Sequence, residues 1–172
     1  MALAGPQPLT AEHQRHSFDC GNHSLNNWLR LHALHAQAGG SARTFVVVEE
    51  RLVVGYYSLT VGQVETLSAP ERIRKGMATG YPIPVVILAR LAVHLHFQGR
   101  GVGRGLLQDA IRRTLMIANQ AGIRALLTHP VNDQAAHFYQ RFGFIPSPLR
   151  EQQLLLLLKD ARRFMVSGEE LA

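Results

Sequence analysis

A single cysteine, Cys20, excludes an internal disulfide, so packing and not cross-linking must hold the fold, and nothing asks for an oxidising compartment. Long apolar runs are also missing. Val85 to Val93 contains Arg90 and falls far short of the roughly 20 residues a spanning helix needs, and Leu154 to Leu158 is shorter still. The N-terminal stretch shows no basic segment leading into an apolar one, so the expected location is the cytoplasm, without membrane attachment. Acidic residues number 12 against 18 basic ones, and lysine is almost absent: Lys75 and Lys159 stand beside 16 arginines. The resulting net charge of +6 favours an acidic partner, and arginine is the better fork for phosphate oxygens, although a GC-rich genome would write the same bias. No metal site is expected.

A hydrophobic content of 47% with 17% charged residues describes a folded globular chain. Its length suits one domain, residues 1–172, with a core over about 18–160. The chain is organised around Val85 to Gly105, where an apolar strand passes through a short polar segment into Gly99, Gly101, Gly103 and Gly105. Glycines let the backbone approach an anion closely, and successive N–H groups at a helix start can converge on phosphate oxygens. The dinucleotide register G-x-G-x-x-G fails here, because its third glycine would be Arg104.

Upstream, Phe18 to Asn22 reads as a turn into a helix capped by Asn22 or Ser24, with Leu25, Trp28, Leu29 and His32 on one face and Gly39-Gly40 at its end. Thr44 to Glu49 and Leu52 to Val61 should pair as an antiparallel hairpin. A short helix is expected after Ser68. Downstream, Leu106, Leu107, Ala110, Ile111, Thr114, Leu115 and Ala118 repeat at helical spacing. Ile123 to Thr128 reads as a strand, Asn132 to Arg141 as a helix stopped by Gly143, and Phe144 to Pro146 and Gln153 to Lys159 as closing strands. Residues 1–14 and 167–172 carry no expected element. The order gives an α/β fold with a mixed sheet.

Gln98-x-x-Gly101-x-Gly103, fed by the strand ending in Ala89 to Val93, resembles the acetyl-coenzyme A loop of the GNAT acetyltransferases. Asn132-x-x-Ala135-x-x-Phe138-Tyr139, followed by Phe142-Gly143-Phe144, is similar to the end of the same fold. The resemblance implies the GNAT fold: a mixed, mostly antiparallel sheet flanked by helices, whose central strand pair splays. It also implies acetyl-CoA held by Leu91, Ala92 and Val93 along the pantetheine, by Gln98, Gly99, Arg100, Gly101, Val102, Gly103 and Arg104 at the pyrophosphate, and by Asn132 and Phe138. Tyr139 would then lie near the thioester sulfur as the catalytic acid, a role that a phenol with a pKa near 10 can fill.

Phe18-x-Cys20-Gly21 with Leu25-Asn26-x-Trp28-Leu29, Gly55 to Leu59, and Pro84 with Leu88-x-Arg90 to Val93 resemble the GNAT toxins of bacterial toxin–antitoxin modules. That likeness implies acetylation of the free α-amine on charged tRNA, a homodimer, a ribbon-helix-helix antitoxin, and contact with operator DNA only through that antitoxin. No Asp or Glu lies between Val85 and Val93 to serve as a base. A lysine amine needs one at neutral pH, whereas an α-amine, with a pKa of about 7.7–8.0, is largely ready to react. Glu65, His94 and His96 are the remaining base candidates. Arg90, costly inside an apolar strand, is assigned to RNA phosphate, with Arg43, Arg72, Arg74 and Lys75 as further RNA candidates and an internal ion pair as the competing reading. Two other functions stay open: a GNAT enzyme acting on protein or small-molecule amines, and a non-enzymatic CoA-binding or antitoxin-docking co-repressor.

Overall fold

The computed structural model describes residues 2–78 and 80–171, with the side chains of 164 and 166–171 outside that description. Seven strands form one sheet in the order β1-β2-β3-β4-β5-β7-β6. They are β1 (Leu3–Pro8), β2 (Arg43–Glu49), β3 (Leu52–Val64), β4 (Ile83–Val93), β5 (Ala125–Thr128), β6 (Ile145–Pro146) and β7 (Leu154–Leu157). β1 with β2, β2 with β3, β5 with β7, and β6 with β7 are antiparallel, and β4 with β5 is parallel. The sheet is therefore mixed and mostly antiparallel, as expected. A parallel pair needs a long crossover, and α4 (Val102–Ala118) supplies it.

Two departures from the sequence reading stand out. Residues 3–8 are an edge strand, although no element was expected there: an edge tolerates the prolines of Leu3–Pro8 because half its N–H groups need no ladder partner. The closing strand stops at Leu157, and α6 (Leu158–Leu171) begins inside the leucine run. Five identical residues carry no period to mark that switch.

The chain packs as two compact units, Met1–Thr60 with Ala89–Ala110 and Val61–Leu88 with Ile111–Ala172. In the first, Asn22 caps α1 (His23–Asn27) by accepting from the Leu25 amide at 3.0 Å. A π-helical turn, Trp28–His32, joins it to α2 (Ala33–Gly39), which ends at Gly40 with φ of 80°. That wider turn leaves His32 exposed and buries Ala33, so the expected stripe shifts by one residue. Phe18, Leu29, Ala33, Val46, Val48, Val53 and Tyr56 form this unit's core, each large side chain contributing about 1.5–3 kcal/mol. On the opposite strand face, Tyr57 donates to the Asp109 carboxylate of α4 at 2.5 Å. Gly55 lets the same helix seat closely: a Cβ there would meet Val102 at 3.0 Å and Leu106 at 3.1 Å.

The second unit is built on β5, whose four residues are all buried between β4 and β7. Val85, Ala125, Leu127, Leu155 and Leu157 pack on one face with Ile73 of α3 (Glu71–Arg74). The Arg124 guanidinium donates to the carbonyls of Ile73 and Lys75, each at 2.9 Å, so a cation closes the short helix. α5 (Asp133–Arg141) follows, stopped by Gly143 with φ of 93°.

Candidate active site

β4 is paired with β5 only from Val85 to Leu88, because β5 ends at Thr128. Ala89 to Val93 run on past that ladder, and Leu91, Ala92 and Val93, the residues expected along the pantetheine, lie in this overhang. Beyond Val93 the chain makes a 3-10 turn, Leu95–Phe97, closed by His94 accepting from the His96 amide. His94 is thus a capping residue, and His96 is exposed.

The glycine loop has the geometry of an anion cradle. Gly99 and Gly101 take φ of 77° and 81°, and a Cβ on either would meet no heavy atom within 4 Å. Conformation and not crowding therefore demands glycine at both. The first turn of α4 opens with Gly105 donating to the Gly101 carbonyl at 3.0 Å, so the amides of Val102, Gly103 and Arg104 precede the intrahelical ladder. Three outward N–H groups at the positive end of a 17-residue helix fit a pyrophosphate. Exposed Arg104 lies in that turn, and the Arg100 guanidinium sits 5.3 Å from the Phe97 ring centroid. Gln98 turns back: its amide nitrogen donates to Val93 carbonyl oxygen at 2.9 Å and to that of Cys20 at 3.3 Å. The side chain braces the strand-to-loop turn, and its place in the cradle is structural.

In the second unit, Asn132 is the N-cap of α5, accepting from the Ala135 amide at 2.8 Å. Asn132→Ala should cost about 1 kcal/mol in chemical denaturation. Half-buried Phe138 packs 5.2 Å from the Tyr139 ring and 5.3 Å from Phe142. Tyr139 is 5% exposed. Burial pushes its phenol up to about 12, and a hydrogen bond to the Thr128 side chain partly opposes the rise. The Thr128 hydroxyl beside the phenol is itself fixed, donating to the Leu88 carbonyl at 2.9 Å. Tyr139 is thus held protonated and oriented at the end of the β4–β5 ladder. Thr128 escaped the sequence reading; its signal is a lone hydroxyl closing an apolar strand.

The arginines separate. Arg90 has an indole for a partner and, among the described residues, no carboxylate: its guanidinium lies 3.9 Å from the Trp28 ring centroid, and Trp28 stacks on Tyr56 at 6.0 Å. A cation on an aromatic face keeps its charge for a second partner. The internal ion pair is not what holds it. Arg43 is exposed at the start of β2. Arg72 forms a forked ion pair with Asp160 at 2.6 and 3.2 Å, which neutralises one member of the basic cluster and leaves Arg74 and Lys75.

The acetyltransferase (GNAT) domain family matches residues 40–146. The chain is 44% identical to the tRNA-acetylating toxin of Mycobacterium tuberculosis, over 85% of this chain and 87% of that protein. It superposes on AtaT complexed with acetyl-methionyl-tRNAfMet with a TM-score of 0.85 at 28% identity, covering 94% of this chain and 97% of that one. A tyrosine-to-phenylalanine mutant of AtaT bound to the C-terminus of the antitoxin AtaR and acetyl-CoA matches with a TM-score of 0.80 at 27% identity, over 96% and 97% of the two chains.

Proposed function

Since the chain belongs to the GNAT acetyltransferase family, we propose that it is a toxin that moves the acetyl group of acetyl-CoA to the α-amine of the amino acid on charged tRNA, blocking its use in translation. The observation that carries this reading is the pairing of a glycine cradle at the start of α4 with a buried, protonated Tyr139 on a chain 44% identical to a tRNA-acetylating toxin. Acetyl-CoA supplies the activated thioester and the sulfur that departs from it. Leu91, Ala92 and Val93 offer strand-edge backbone to the pantetheine arm, and Gly99 to Arg104 hold the pyrophosphate. Tyr139 holds a proton at its hydroxyl and gives it to the leaving sulfur as the C–S bond breaks and the amine nitrogen bonds the acetyl carbon; the nitrogen then sheds one proton to solvent, and the phenolate takes one back. The amine arrives neutral, so no carboxylate base is required.

Arg90, carried on Trp28, meets RNA phosphate, with Arg43, Arg74 and Lys75 in support. Arg90→Ala should raise KM for charged tRNA about tenfold and leave the acetyl-CoA dissociation constant within about twofold. Equal losses in both would remove the RNA role. An antitoxin partner and DNA contact through it belong to the same reading, supported by AtaT bound to the antitoxin AtaR and by the AtaT–AtaR complex bound to DNA; a ribbon-helix-helix antitoxin, a homodimer and a cytoplasmic location are proposed with it. Among the described residues no helix is long and apolar enough to cross a membrane. A cell-free translation reaction tests the function: synthesis should stop when the protein and acetyl-CoA are both present, and resume with fresh charged tRNA after the protein is removed. Arrest without acetyl-CoA would point to the non-enzymatic alternative.

A further inference from the structure

The second unit contains a cavity of about 400 Å³ to which the proposed acetyl transfer gives no role. Val64, Ile87 and Leu127 give it apolar walls, Glu65 and Arg150 are exposed at its edge, and Gln153 lines it. Gln153 is 5% exposed, and its side-chain nitrogen has no hydrogen-bond partner among the described residues. Its amide oxygen is engaged: His129 Nε2 lies 3.1 Å away, and an N–H there donates to it. The histidine thereby fixes which end of the amide is left over. A buried donor without an acceptor is costly, and such a group lining a cavity points to a ligand that supplies the acceptor.

Position narrows the ligand. Leu127 of β5 and His129, one residue past its end, both line the cavity, and Thr128 between them is hydrogen-bonded to Tyr139. An occupant is therefore one strand thickness from the candidate acid. The volume falls in the range of small-molecule sites, about 300–1,000 Å³, and is generous for one amino-acid side chain. Every tRNA ends in an unpaired adenosine whose ribose bears the amino acid. Its base is flat and apolar on both faces, with ring nitrogens that accept and an exocyclic amine that donates. Sequence-independent RNA ends are commonly held by base-edge hydrogen bonds and packing of this kind.

We propose that this cavity holds the terminal adenine of the tRNA substrate, with the Gln153 amide donating to a ring nitrogen, the Glu65 carboxylate accepting from the exocyclic amine, and Arg150 meeting phosphate. This rests on the tRNA reading above, and it assigns His129 as a positioning residue acting through Gln153.

The test is a coupling measurement on binding. Deacylated tRNA, intact or lacking its last nucleotide, is titrated against wild type and Gln153→Met at one fixed salt concentration, with acetylation of charged tRNA measured in parallel. Wild type should bind the intact tRNA about tenfold more tightly than the shortened one, and Gln153→Met should bind the two within about twofold of each other. His129→Ala, at an exposed position that does not threaten folding, should shrink the difference in the same direction. If both variants distinguish the two RNAs as well as wild type does, the assignment fails while acetylation of charged tRNA leaves the functional reading intact. If no charged tRNA is acetylated, the functional reading fails, and a coupling that persists still assigns the cavity to the RNA end.

Discussion

Tyr139→Phe should lower kcat for acetyl transfer by about 10²–10⁴-fold and leave acetyl-CoA binding within about twofold. The substitution removes one oxygen and keeps the ring that packs against Phe138 and Phe144, so the fold should be retained. Only the proton donor is lost. Because burial places the Tyr139 phenol at about 12, above its unfolded value near 10, its neutral form persists through the whole working range. The rate should rise with pH as the acceptor amine loses its proton, then hold level to about pH 9–10 with no falling limb from this group. Stability follows the same sign: the contribution of neutral, buried Tyr139 is complete below about pH 10 and is lost as pH rises towards 12. A Tyr139→Phe enzyme with unchanged kcat would assign the proton to another donor.

Gly101→Val should raise the acetyl-CoA dissociation constant roughly a hundredfold, the second large effect. At φ of 81° a β-branched residue is strained, by about 1–2 kcal/mol, and relieving that strain turns the loop amides away from the anion. Losing even one hydrogen bond to a charged phosphate adds about 1.5–3 kcal/mol, and each 1.4 kcal/mol is tenfold in affinity. Nothing crowds the position, so the melting temperature should change far less than the affinity. The contrast with Gly55 is useful. There a side chain would strike Val102 and Leu106, so Gly55→Val should unseat α4 and lower stability directly. Calorimetric titration with acetyl-CoA beside thermal denaturation separates the two; an unaltered affinity in Gly101→Val would move the pyrophosphate away from this loop.

What was legible in the sequence is what local chemistry fixes. Glycine at 99 and 101 permits the positive φ that both take, Asn132 or Asp133 offers a helix cap, and the apolar runs of β4 and β5 read as strands, so the loop followed from residue type and order, whereas the splay of the central pair was implied by the family resemblance. Partnerships made at a distance did not. The indole beneath Arg90 lies 62 positions away, and a strand arginine reads the same whether it meets a carboxylate or a ring. Gln98 is part of the cradle motif, yet its side chain turns back onto Val93 and Cys20, which no spacing reveals. Thr128 and Gln153 are polar residues at the ends of apolar strands, and only the packed structure shows that one orients Tyr139 and that the other's amide nitrogen has no partner among the described residues. The prolines of Leu3–Pro8 and the uniform leucines before α6 hid two elements for opposite reasons, one by carrying strand-breaking residues at a tolerant edge, the other by carrying no pattern at all.

The most direct measurement is to locate the transferred group. The protein is incubated with labelled acetyl-CoA and total charged tRNA, the RNA is digested with nuclease, and the labelled product is identified by mass spectrometry before and after mild alkaline cleavage of the aminoacyl ester. The account predicts N-acetyl-aminoacyl-adenosine before cleavage and free N-acetyl amino acid after it, with no label on tRNA stripped of its amino acids. Label that stays with the nucleotides after cleavage, or that reaches peptides and polyamines but never charged tRNA, would contradict it.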